Sequence, residues 1–335
     1  MTSSTQGIDD FWSWWQGYAD TAAALLRSQD IDTFARELSP RIDQIHPDLG
    51  WETAPPENAE FCLVVSAGGV AENRSIAERW LRSAPAADDR WEFRSARPAN
   101  PRMLGVPLRL DDHEFDLSHV EFAVRFSARR ARFDLSAYHP DFAFVDETLA
   151  RQAAFLTLDF ALGEDDVARW IGAVQIATEK PTDSFPATGL RPVVTDIAGN
   201  YAEPAWLTLG GRTADGQDLQ VVTRFPMRRV DFPLFDEHIA VGLPYVHKTA
   251  DGFPTGESAA ALDRLTAALT ELAGTDAAVV ARQSAGGVHV VHLYADTEQD
   301  VASRLKPVIE EWSEGEAGMQ AVHDPGWKGV EALRT

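Results

Sequence analysis

An α+β chain of two units is what this sequence predicts, and three observations predict it. Helical and strand periodicities follow one another along the whole length. From residue 237 onward the order is strand, helix, strand, strand, helix, strand. A stretch rich in proline and glycine, residues 179–204, separates two segments that are each long enough for a core of their own. A chain of 335 residues is long for one core and comfortable for two domains.

Asp9 or Asp10 can cap a first helix through about Arg27, with Phe11, Trp14, Trp15, Tyr18 and Ala22 on one face, and core packing explains that aromatic stripe. A second helix starts near Ile31 and ends before Pro47, with Ser39-Pro40 kinking or restarting it. Residues 59–66 read as a buried strand, 73–83 as a helix and 90–97 as an alternating strand. Pro101 and Pro107 break up the stretch 98–118. Strands at 119–126 and 131–138 are joined by a turn around Ser127 to Arg130. The longest helical pattern runs from 145 to 171. Leu149, Ala153, Leu156 and Phe160 form its stripe, Gly163 interrupts it, and Glu164, Asp165 and Asp166 suit the first turn of the helix that follows. A strand at 172–178 closes a unit at 1–178, whose part from 59 onward is expected to repeat the element order seen after 237.

Past the connector, 179–204, which has room for a short helix at Val193 to Ile197, a hairpin turned by Asp215-Gly216 opens the second unit, 205–335. Strands at 237–244, 277–283, 288–295 and 318–323 alternate with helices at about 257–273 and 297–312. That order is ferredoxin-like, with two helices on one sheet face and the other face open. Ala240, Val280 and Leu293 are expected to meet Leu265 and Leu305 in its core. On the strand 288–295, His292 and Tyr294 are assigned to the open face with Val288 and Val290, a patch expected either to pack on the first unit or to bind an outside partner.

The bulk numbers exclude several classes of function. Asp plus Glu number 52 against 30 Lys plus Arg, a formal charge of −22. That excess repels nucleic-acid backbones and anionic membranes, so neither is expected as a partner. No apolar run approaches the roughly twenty residues a spanning helix needs, and the amino terminus lacks a secretory pattern. The single cysteine, Cys62, suits a reducing compartment, and the protein is expected in the cytoplasm.

Signals for chemistry are sparse. The turn around Gly68-Gly69 has neither a dinucleotide fingerprint nor a Walker lysine; its amides could cradle an anion, but a plain tight turn accounts for it. Cys62 sits in an apolar strand, which makes it structural, and Ser66 has no nucleophile-elbow context. His289 and His292, three apart on a strand, face opposite sides and cannot chelate together. Asp112, His113, Glu114, Asp116 and His119 match no metal spacing, so no metal and no cofactor are expected. The candidates for acid–base work are Asp159, Glu164 and His139. Against that stand plainer roles. His139 can organise the turn at Pro140, and Glu164 can serve the helix terminus. Asp159 can pair with a buried arginine such as Arg132 or Arg151, in which case Asp159→Ala should cost about 3 kcal/mol.

From Trp206 to Trp327 the chain resembles the bacterial family called domain of unknown function 695. The features that carry the likeness are the Trp206 hairpin, the strand ending Leu243-Pro244-Tyr245 and the helix from Leu262 to Leu272. Gly286-Gly287 ahead of Leu293-Tyr294, and the closing Asp324-Pro325-x-Trp327, complete it. Val288, His289 and His292 depart from the basic and aromatic residues expected in that family. The FWSWW start and the LDFALGE stretch resemble uncharacterised bacterial proteins carrying this domain. The resemblance implies no established reaction. Its fold is similar to that of a small bacterial ribonuclease inhibitor that acts by protein binding.

Two functions remain in play. The leading one is a non-enzymatic binding or regulatory protein acting through protein contacts, with an immunity or inhibitor protein as a special case. The alternative is a hydrolase or transferase with an acidic site between the two units.

Overall fold

The structure, a computed structural model, describes residues 4–334; Met1, Thr2 and Ser3, part of the amino-terminal stretch read for a leader, lie outside the described residues. The chain is α+β and divides into two compact units, residues 1–202 and 203–335.

In the first unit, helices α1 (Ser4–Arg27) and α2 (Ile31–Ile45) pack as a pair. Helix α1 is already under way before Asp9, because Ile8 extends the buried stripe of Phe11, Trp12 and Trp15 by one turn. Pro40 sits inside α2 without ending it. Strands β1 (Gly50–Ala54) and β2 (Phe61–Ser66) are antiparallel. Helix α3 (Arg74–Arg82) then carries the chain to β3 (Trp91–Arg94), which runs parallel to β2. This three-stranded sheet shares its core with α1, α2 and α3, including Phe34, Leu63 and Trp80.

A second core in the same unit is built on β6 (Glu121–Ser127) and β7 (Arg132–Tyr138), after a small hairpin of β4 (Leu108–Leu110) and β5 (His113–Phe115). Helix α4 (Glu147–Leu162) covers that core with Ala150, Ala153, Ala154 and Leu158. Gly163, at φ 90°, breaks it from α5 (Glu164–Trp170), and β8 (Ile171–Ala177) then joins β7 in parallel. The expectation that residues 59–178 repeat the unit seen after 237 is therefore corrected. The parallel β2–α3–β3 crossover closes a sheet of its own, and β6 to β8 start another. Residues 179–204 are no bare connector either. Their strand β9 (Phe185–Pro186) pairs with β6, and helix α6 (Leu190–Ala198) buries Leu190 and Val194 in the second core.

The second unit is one six-stranded antiparallel sheet. Its strands are β10 (Ala205–Arg212), β11 (Asp218–Phe225), β12 (Glu237–Pro244), β13 (Ala277–Ala285), β14 (Val288–Ala295) and β15 (Gly318–His323). They lie in the order β10-β11-β13-β14-β12-β15. Helix α7 (Gly256–Ala273) connects β12 to β13, and α8 (Val301–Glu310) connects β14 to β15. Leu265 and Leu269 of α7 and Val301 and Leu305 of α8 share one cluster with Ile239, Val241, Val291 and Leu293, which places both helices on one sheet face. Ala240 and Val280, expected in that core, lie elsewhere. Ala240 alternates away from Ile239 and Val241, and the register shift between Val279 and Ala281 turns Val280 into the cluster on the opposite face.

Candidate functional site

Of the three acid–base candidates, two meet in the first unit. Gly163 stops α4 four residues after Asp159 and starts α5 at Glu164, so one sharp turn brings both carboxylates to the segment after β3. Asp159 pairs with Arg97, Nη1 to Oδ2 at 2.9 Å, and the same guanidinium holds Glu52 through Nε at 2.7 Å. The expected partners are otherwise engaged. Arg132 donates to the carbonyls of Ala168 and Ile171, and Arg151 to Glu147 and the Val174 carbonyl. Burial pushes the Asp159 carboxyl up to about 6; Arg97 opposes the rise, while Glu164 and Glu52 add to it.

Glu164 is 7% exposed, and its two oxygens accept from the backbone amides of Gly69 at 3.1 Å and Arg97 at 3.0 Å. Gly68 and Gly69, at φ 61° and 80°, thus present an amide to an internal carboxylate. Arg74, at the start of α3, holds Asp165 and Glu78. A polar cleft of about 330 Å³ opens beside this network, lined by Arg94, Ser95, Pro98, Gly163 and Asp166 among others. Asp159, Glu52 and Arg97 form an ion-paired cluster, and Glu164 ties the glycine turn to the Arg97 backbone. That is a brace between three segments of the unit.

His139 stands apart, buried between the β4–β5 hairpin and the turn at Pro140. Its Nδ1 accepts from the Asp141 amide and its Nε2 donates to the Asp116 carbonyl, each at 3.1 Å. Both ring nitrogens are used, and burial lowers its pKa although the Asp116 hydrogen bond opposes this. Cys62 is fully buried, and burial pushes its thiol up to about 12. Among the described residues no three His, Cys, Asp or Glu side chains come together as a metal site, and no helix is long and apolar enough to cross a membrane.

In the second unit the assignment of His292 and Tyr294 to an open face is corrected. They do lie opposite α7 and α8, but Tyr294 is 0% and His292 6% exposed. Met227, Leu234 and Phe235, from the segment before β12, cover that face together with Trp327 and Val330 from the carboxy-terminal stretch. Trp327 stacks on Tyr294 with ring centroids 4.0 Å apart, and Tyr294 stacks on His238 at 5.0 Å. His238 Nε2 and His292 Nδ1 share a hydrogen bond of 3.0 Å, and Tyr294 donates to Asp324 at 2.5 Å. Burial works against the charge on Asp324, yet the bonds from Tyr294 and from the Gly329 and Lys328 amides hold its carboxyl below the ordinary value. Burial lowers the pKa of His292 to about 4, with His238 and His289 adding to the effect.

Residues 220–332 match the model of a family of unknown function, DUF695. No curated protein and no solved structure matches the chain. The stacked His238, Tyr294 and Trp327 all fall inside the DUF695 match, as do β12 to β15.

What this unit leaves open is its two outer strands. Among the described residues, strand β10 pairs only with β11, and β15 only with β12. Trp206 on β10 is 48% and Val322 on β15 is 46% exposed. Sheet edges carry unpaired amides and carbonyls, and natural proteins blunt them with charge or proline. Asp, Glu, Lys and Arg are 24% of the chain, yet none of the six residues of β15 is one of them. These edges, and not the sheet face expected from alternation, are what the unit exposes. The signal was there, an uncharged GMQAVH strand following the acidic run at 310–316.

Proposed function

We propose that this chain is a non-enzymatic binding protein that acts through contacts with another protein, and that the sheet of its DUF695-matched unit is the docking element. The observation that carries this reading is the pair of exposed, one-sided outer strands β10 and β15. Main-chain pairing at such an edge is a recurrent mode of protein recognition. The charge of −22 supports a basic partner over an acidic one. The strand order β13-β14-β12-β15 with both helices on one face supports the ferredoxin-like reading of the unit. The single buried Cys62 is in keeping with a reducing, cytoplasmic setting.

The acidic-site alternative gains nothing from the geometry. Glu164 spends both oxygens on backbone amides, His139 spends both nitrogens on its turn, and Asp159 is held by Arg97. The test is co-purification of the tagged chain from the cells that encode it, followed by reconstitution from purified components. A stoichiometric complex supports the reading. Turnover of a substrate by the purified chain, or a chain that stays alone through both steps, overturns it.

A further inference from the structure

The edge of β15 carries more than a general capacity to pair. Its six residues are exposed apart from the half-buried Met319, and among the described residues the strand pairs only with β12. Immediately before it, between the end of α8 and Gly318, the chain reads Glu310, Glu311, Trp312, Ser313, Glu314, Gly315, Glu316 and Ala317. Glu314 is committed inward, accepting from the Val246 amide at 3.0 Å and from the Ser258 hydroxyl. Trp312 donates to the Pro244 carbonyl, which ties this run to the end of β12 that faces Gly318. Glu310, Glu311 and Glu316 are exposed. The edge therefore has a polarity, uncharged along Gly318 to Val322 and negative at its Gly318 end.

We propose that β15 accepts an extended segment of a partner protein as a seventh, antiparallel strand, and that this segment carries lysine or arginine at its carboxy-terminal end. This rests on the protein-contact reading above. Every strand pair of the sheet is antiparallel, and an antiparallel newcomer places its carboxy-terminal end beside Gly318. Basic side chains there meet Glu311 and Glu316, while the uncharged middle of β15 accepts main-chain pairing without burying a charge. The edge of β10 is the weaker host, because it carries Arg212 at one end and no comparable acidic run.

The test uses the full chain and labelled ten-residue peptides of alternating valine and threonine. One ends in Lys-Arg-Lys, a second begins with it, and a third ends in Glu-Asp-Glu. Binding is read by fluorescence anisotropy, and the contact by amide chemical-shift changes. The proposal expects the carboxy-terminal basic peptide to bind best and to shift the amides of residues 318–323. It expects the Glu311→Gln, Glu316→Gln double variant to weaken that peptide roughly tenfold. Val322→Pro should abolish binding; should that variant melt early, the shift map on the parent decides the matter. Equal binding of the three peptides, shifts centred elsewhere, or no saturable binding overturns the proposal. A native partner whose complex survives the Glu311→Gln, Glu316→Gln, Val322→Lys variant also overturns the assignment to β15, yet leaves the protein-contact reading standing.

Discussion

Replacing Asp159 with Asn should stabilise the first unit at neutral pH, although it removes one member of an ion pair. Burial raises this carboxyl to about 6, and Arg97 does not fully offset the effect. A carboxyl whose folded-state pKa lies above its unfolded value contributes stability that is fully present below about pH 4 and is lost as the pH rises through about 6. At about 1.4 kcal/mol per pH unit, a carboxyl held at about 6 in place of the ordinary carboxylate range costs the fold on the order of 3 kcal/mol when ionised at pH 7. Asparagine keeps the shape without the charge. Arg97 is not orphaned, because Glu52 stays bonded to its Nε at 2.7 Å. The expected gain is about 1 to 3 kcal/mol at pH 7, shrinking toward zero by about pH 4. Urea unfolding at several pH values measures it, and hydrogen exchange of the α4 amides assigns it to this unit. A loss of about 2 kcal/mol or more at pH 7, with an unchanged pH slope, would falsify the claim that desolvation outweighs the pair. By the same reasoning Asp159→Ala should cost well under the 3 kcal/mol expected for a sole arginine partner.

Four further outcomes are expected. Arg97→Met leaves Asp159 and Glu52 without their shared cation, and should cost about 3 kcal/mol at pH 7 and less at pH 5; an equal loss at both pH values would refute the network. Trp327→Ala empties a fully buried position, ends the stack on Tyr294 and drops the bond to the Phe235 carbonyl, for a loss of about 4 kcal/mol or more by thermal melting. A melt within experimental error of the parent would show that the carboxy-terminal stretch is not a structural cover. A fragment of residues 203–335 should unfold cooperatively by itself, and a molten fragment would count against its independence. In that fragment the depressed pKa of His292, about 4, makes stability fall as the pH drops from about 6.5 toward 4. His292→Gln should flatten that fall, and an unaltered slope would place the titrating group elsewhere.

The sequence by itself determined the longer elements of this protein, because periodicity is a local property. The strands at 237–244, 288–295 and 318–323 stand where alternation put them, and the break at Gly163 follows from a residue that tolerates φ 90°. The short strands Gly50–Ala54, Leu108–Leu110, His113–Phe115 and Phe185–Pro186 escaped, since so few residues with little apolar alternation give no signal of their own. What only the tertiary structure decided is which segments share a surface. Any of several arginines could have met Asp159, and Arg97 does so because the chain leaving β3 passes beside the end of α4. Alternation correctly separated Tyr294 from Leu293, but it could not show that Trp327, thirty-odd residues later, would return to cover the Tyr294 face. Burial depends on what distant chain comes back to a surface, and a sequence window records only which side of a strand a residue takes. The sequence shows β15 to be free of charge, but that it stands at an edge is decided in three dimensions, where β12 occupies one side of it and no described strand occupies the other.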